Sequence, residues 1–87
     1  MKVTYQTSFF RDTKKSPKTL LADLDAVLLN LETSASFMAI EQIKKLKGHK
    51  SAYRIKISSY RLCFYYENET VIVSRFLPRK DVYKIFP

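Results

Sequence analysis

Three cations alternate with apolar residues over a short stretch: Arg54 and Lys56 in YRIKI (53–57), and Arg61 in YRL (60–62). If Ser58-Ser59 is a two-residue hairpin loop, Ile57 faces Tyr60, Lys56 faces Arg61, Ile55 faces Leu62 and Tyr53 faces Phe64. Every apolar residue then lands on one face, and Arg54, Lys56 and Arg61 gather on the other, open face. A slip of one residue would scramble both faces. Like charges directly across a hairpin destabilise it, so two readings follow: solvated positions that protect a sheet surface from aggregation, or the seat of an anion. The end of the chain favours the anion, because Arg79, Lys80 and Lys84 follow Pro78 with Tyr83 among them. Cations for phosphate interleaved with rings on which an unstacked base can lie are what RNA recognition requires.

The charge balance of the 87 residues agrees: a formal net charge of +8 arises from 16 Lys and Arg against 8 acids. Residues 1–43 are neutral, so the whole excess lies in residues 44–87, as expected for a polyanionic partner. With 46% apolar and 14% aromatic residues the chain has material for a core, and the expectation is one domain over 1–87. A lone Cys63 rules out an internal disulfide or a zinc site of several thiolates and suits a reducing compartment. No cofactor and no metal site are expected. Without a spanning apolar run or a signal-like N-terminus, the expectation is a soluble, cytoplasmic protein with no membrane partner.

The elements that must carry these residues read as follows. Residues 2–8 predict a short strand and FFRDTKK (9–15) a brief helix. Ser16 is placed as N-cap, and Pro17 as first residue, of a helix of about four turns. Its stripe is Leu20, Leu21, Leu24, Val27, Leu28 and Leu31. Ser36–Ile43 predicts another short helix, with Phe37, Ile40 and Ile43 on one side, ended by Lys44, Lys45, Lys47 and Gly48. Alternation then gives two strands, and a third, TVIVSRFL (70–77), follows a turn at Asn68-Glu69. The third is placed centrally because its alternation is less clean. RKDVYKIFP (79–87) closes the chain as a strand end or helical turn. The expected fold is α+β in the order β-α-α-β-β-β: a small twisted antiparallel sheet of about four strands, two N-terminal helices packed on one face.

LKG (46–48), YRIKISSYRLCFYY (53–66) and RKDVYKIF (79–86) together resemble the RelE/ParE superfamily of toxins from type II toxin–antitoxin pairs. The resemblance covers about forty residues of the second half, and the first half agrees in its order of elements. It implies a RelE-like fold. In the RelE branch it implies a ribosome-dependent endoribonuclease, an mRNA interferase that cuts message in the A site and stops translation. In the ParE branch it implies an inhibitor of DNA gyrase. The RelE basic pair falls at Arg54 and Lys56, the arginine of the next strand at Arg61, and the C-terminal arginine and tyrosine at Arg79 and Tyr83; this set favours the nuclease.

Metal-free RNA cleavage needs the 2′-hydroxyl deprotonated, the growing phosphate charge stabilised and the leaving 5′-oxygen protonated. Arginine does not give up its proton, whereas positive neighbours disfavour the charged form of an amine, so Lys56 is the candidate base. Arg61 is assigned to the transition state, Arg54 to holding phosphate, Arg79 to the leaving group and Tyr83 to stacking on a base. Lys44, Lys45, Lys47, Lys80 and Lys84 are assigned to RNA binding. Tyr65 is a second stacking candidate. Tyr5, Tyr53, Tyr60 and Tyr66 are placed in the core or sheet, His49 in a surface loop, and Cys63 is taken as a small hydrophobe. Arg75 falls on the wrong parity for the cluster and is expected to meet ribosome, antitoxin or solvent. The implied partners are a cognate antitoxin covering the basic face or displacing the C-terminal segment, and the ribosome with its message; DNA is met only through the antitoxin. The competing functions are a ParE-like gyrase inhibitor and an inactive homologue serving as corepressor.

Overall fold

The computed structural model describes residues 1–36, 40 and 42–87. Strand β1 (Lys2–Tyr5) is shorter than predicted, because Gln6 N–H closes onto Val73 C=O at 2.9 Å and helix α1 (Thr7–Lys15) starts at once. Ser16 is not the N-cap of the next helix. Its hydroxyl donates to Asp12 C=O at 2.8 Å and so closes α1 instead. Pro17 is extended (ψ 131°), a 3-10 turn spans Lys18–Leu20, and α2 runs Leu21–Thr33. The predicted stripe holds: Leu24 and Leu31 are buried, with Leu20, Leu21, Val27 and Leu28 packed beside them.

Half of the helix predicted over 36–43 lies outside the described residues, and its end is corrected. Gln42 takes a left-handed backbone (φ 67°), and β2 (Ile43–Lys45) follows as a strand. Gly48 (φ 83°) turns the basic loop into β3 (Ala52–Ile57), and β4 (Tyr60–Glu67) and β5 (Thr70–Pro78) follow. A 3-10 turn (Arg79–Asp81) and one turn of helix, α3 (Val82–Ile85), close the chain. Among the described residues the sheet has five strands in the order β1-β5-β4-β3-β2, and it is mixed, not purely antiparallel. β1 runs parallel to β5 while the other neighbours are antiparallel. A strand that leaves the sheet through two helices has the length of chain that a parallel return needs.

The β3–β4 hairpin has the predicted register at every pair, Lys56 opposite Arg61 included. Ile55, Ile57, Leu62, Phe64, Val71, Val73 and Phe76 form the core with Phe9, Leu24 and Leu31 of the helices. The expectation that β5 lies in the interior of the sheet holds, and its uneven alternation has a local cause. Phe64 pairs with Val73 but Cys63 pairs with Arg75, so Ser74 is an extra residue, a β-bulge. The bulge reverses parity, which lets Val71, Val73 and Phe76 all face the helices while Leu77 faces the other side.

The β4–β5 turn places Asn68 (φ 50°) and Glu69 (φ 59°) both in the left-handed region. Asparagine tolerates this; a glutamate there is strained by about 1 kcal/mol. Glu69→Gly is therefore expected to raise unfolding stability by about 0.5 kcal/mol once the greater freedom of the unfolded glycine is deducted. Urea denaturation with an unchanged slope checks this.

Candidate phosphate-binding cleft

Lys44 of β2 pairs directly with Arg54 of β3, and Lys56 of β3 with Arg61 of β4. Two like-charged cross-strand pairs thus sit side by side on the face turned away from α1 and α2. They line a cleft of about 370 Å³ whose walls are Gln42, Lys44, Arg54, Lys56, Arg61 and Arg79. No carboxylate is among those lining residues. Arg79 reaches the cleft because its N–H donates to Ser59 C=O at 2.9 Å, tying the exit of β5 to the β3–β4 turn.

The face is less open than alternation alone implies. The C-terminal segment folds back over part of it, burying Val82 and Phe86 against Leu46, Ala52, Cys63 and Leu77. Arg61, beside this cluster, is only 7% exposed. Its Nη1 donates to the carbonyls of Ser58 (3.0 Å) and Tyr60 (2.8 Å), whereas its buried Nε has no partner among the described residues. Burial foremost, then Arg54 and Arg79, pull the Arg61 pKa below the usual arginine value. A guanidinium still holds its proton under such pressure, so the physical outcome is a fixed, poorly solvated cation.

α3 turns Val82 inward and leaves Tyr83 outward, 72% exposed, with Arg54 Cζ 5.9 Å from its ring centroid. That distance is at the outer range of a cation–π contact. A second hollow, walled by Ser59, Pro78, Arg79, Lys80 and Tyr83, shares Arg79 with the cleft.

Of the sequence-derived site residues, Lys44, Arg54, Lys56, Arg61 and Arg79 meet in the cleft, and Lys80 and Tyr83 border it. Lys45, the last residue of β2, and Lys47 of the following loop lie instead around a basic hollow with His49 and Lys50, and Lys84 is exposed on α3 without lining either cavity of the cleft face. Gln42 was missed because it was counted inside a helix; read as part of the strand approach, it shares parity with Lys44. Tyr65 is not a free platform, since it packs on Phe86 with centroids 5.0 Å apart. Arg75 does not await a partner: the bulge sets it opposite Cys63, and its Nε and Nη2 grip Asp12 of α1 at 2.7 and 2.9 Å.

Cys63 is fully buried, and burial pushes its thiol pKa up to about 12. Alkylation by iodoacetamide at pH 8 is expected to be negligible in the native protein and complete in denaturant, read by mass spectrometry. The folded chain keeps a proton that the unfolded thiol, with its ordinary pKa of 9.0, releases. Stability should therefore fall as pH rises from 9 towards 12, by about 1.4 kcal/mol per unit from this group.

No family model matches the sequence. A curated relative, Toxin RelE3 of Methanocaldococcus jannaschii, is 32% identical over 88 aligned residues, covering all of both chains. The toxin of the RelB–RelE antitoxin–toxin complex from Methanococcus jannaschii superposes with a TM-score of 0.84 at 28% identity, covering 97% of this chain and 99% of that one. YafQ of E. coli shares the fold at a TM-score of 0.75 and 14% identity, covering 93% and 96%. Identity to a RelE toxin along the entire length, carried on the same arrangement of strands and helices, means that the chain belongs to the RelE family, the toxins of toxin–antitoxin systems.

Proposed function

We propose that the protein is an endoribonuclease that cuts messenger RNA on the ribosome and is held in check by a cognate antitoxin. The observation that carries this reading is the cleft of Lys44, Arg54, Lys56, Arg61 and Arg79, free of carboxylates among its lining residues and bordered by an exposed tyrosine. A site that must bind a phosphodiester and then stabilise further negative charge gains from every one of those features.

In the proposed reaction Lys56 takes the proton of the 2′-hydroxyl while the 2′-oxygen attacks the adjacent phosphorus. The bond from phosphorus to the 5′-oxygen breaks, and that oxygen takes a proton from solvent beside Arg79 while Lys56 returns its own to solvent, so the two transfers cancel. The products are a 2′,3′-cyclic phosphate and a 5′-hydroxyl, so no water or metal enters the balance. Arg54 holds the phosphate and Arg61 meets the charge that grows on its non-bridging oxygens. Arg61 is pinned by two backbone carbonyls, so little reorganisation is needed when that charge develops. Tyr83 has one face against Arg54 and offers the other to a base next to the cut. Lys80, Lys45 at the end of β2 and the loop residue Lys47 contribute sequence-independent phosphate contacts, and Lys84 extends them along α3.

Adding the purified protein to a translation reaction and mapping the ends of the message tests the reading. Codon-phased cuts that need ribosomes and leave cyclic phosphate ends are expected. Intact message together with inhibited gyrase supercoiling would instead assign the fold to gyrase poisoning.

A further inference from the structure

Among the described residues lining the cationic cleft, five are cations whose roles are set out above, and the sixth is Gln42. Its amide is uncharged and both donates and accepts, whereas ammonium and guanidinium groups only donate. The strand register fixes its place. Ile43 pairs with Ile55 and Lys44 with Arg54, and one step further along the two strands Lys56 N–H donates to Gln42 C=O at 3.2 Å. Lys56 in turn pairs with Arg61. Gln42, Lys56 and Arg61 therefore form a row across the sheet, with the candidate base in the middle. Gln42 holds this place in a left-handed backbone (φ 67°) with its side chain exposed. That conformation costs energy in any residue with a Cβ, and such costs cluster at functional sites.

From this row we infer that Gln42 reads the base of the nucleotide whose 2′-hydroxyl attacks, and that it favours adenine there. The inference rests on the nuclease reading and adds a substrate preference to it. Lys56 must meet the 2′-hydroxyl, so the base carried by the same ribose is the one within reach of the side chain beside Lys56. Keto oxygens and bare ring nitrogens can be met by any of the surrounding cations and distinguish little in this cleft. An exocyclic amine is different, because it needs an acceptor, which a protonated lysine or an arginine does not supply. Adenine sets its N6 amine next to N7, so that one glutamine amide meets both with a pair of hydrogen bonds. On the same edge guanine offers two acceptors, which the cations satisfy equally well, and a pyrimidine offers a single polar group.

Ribosomes paused with defined codons in the A site test this, on four messages that differ only in the base 5′ to the cut. Single-turnover cleavage by the unaltered chain should be at least ~10-fold faster with adenine there than with any other base, the discrimination expected of one bidentate contact. Gln42→Gly removes the amide, keeps the carbonyl that meets Lys56 N–H and suits the left-handed backbone. It should fold, as thermal unfolding will show, and cut the four messages at rates within about threefold of one another. Lys45→Ala, which removes a phosphate contact, should slow all four alike and leave adenine preferred. The ribosome is common to every chain tested, so a change in the ratios belongs to the substituted residue. A Gln42→Gly chain that keeps the adenine preference overturns the assignment alone, and equal slowing on all four messages would make Gln42 a contact to ribose or phosphate. An unaltered chain that prefers another base, or none, overturns it as well. If the unaltered chain cuts none of the four on ribosomes, the nuclease reading falls and the base reading with it.

Discussion

Arg61→Ala is expected to lower ribosome-dependent message cleavage by at least ~100-fold, in the range seen when one preorganised oxyanion donor is removed, while the protein remains folded. The two halves of that expectation have separate grounds. In the proposed reaction, cleavage draws on a cation held by the Ser58 and Tyr60 carbonyls among Arg54, Lys56 and Arg79. Stability draws on opposing effects. Losing the two hydrogen bonds from Nη1 costs roughly 1–3 kcal/mol. Removing a buried cation that faces Lys56 and leaves its Nε unpaired relieves a penalty of similar size. The net change should be within about 1 kcal/mol, or a melting shift of roughly 4–8 °C at most for a domain of this size. Arg61→Lys keeps the charge but loses the planar fork, so it should retain the fold with intermediate cleavage. Single-turnover cleavage in a translation reaction, beside thermal unfolding, checks both halves. Cleavage at the full rate by folded Arg61→Ala would remove Arg61 from the chemistry.

Much of the site was legible because burial imposes a strict rule on a hairpin. Tyr53, Ile55, Ile57, Leu62 and Phe64 share one face in only one register, and that register places Arg54, Lys56 and Arg61 together on the opposite face. Where no such rule acts, sequence reasoning lost resolution. The three residues of β2 are too few to show a period, so Lys44 was assigned to RNA binding without its place opposite Arg54 being seen. Ser16-Pro17 matched the chemistry of a helix start, but the Asp12 carbonyl claimed the serine hydroxyl first. The C-terminal segment folds back onto Cys63 and Leu77, a contact between residues distant in the chain that no local pattern encodes. Arg75 was misread for a similar reason, since one extra residue at Ser74 reverses the parity of all that follows.

That extra residue leads to the largest expected loss of stability. Asp12, on α1 and only 7% exposed, accepts from Arg75 Nε, Arg75 Nη2 and the N–H of Phe76, the last at 3.0 Å. A single carboxylate thus satisfies the donors on the C-terminal side of the bulge, while Ser8 Oγ donates to Ser74 C=O from the same helix. The pairing with Asp12 raises the Arg75 pKa, its hydrogen bond being the leading cause. Asp12→Ala would leave the buried Phe76 N–H and a largely covered guanidinium without this partner, an outcome that costs about 3 kcal/mol in comparable cases. For a domain of this size that lowers the melting temperature by roughly 15 °C. Arg75→Ala should cost less, about 1–2 kcal/mol, because Asp12 keeps its bond to Phe76 and gains access to water. The double variant should show a coupling of about 1–2 kcal/mol between the two positions. Phe76, Leu77, Pro78 and Arg79 follow the bulge directly, so its loss would also turn Phe76 towards the cleft face and withdraw Arg79 from Ser59. Cleavage by Asp12→Ala should therefore be reduced even at temperatures where the variant is still folded, and Asp12→Asn, which can still accept from Phe76, should recover part of both losses. A destabilisation below about 1 kcal/mol for Asp12→Ala in urea unfolding would show that the bulge is held by the sheet itself and not by α1.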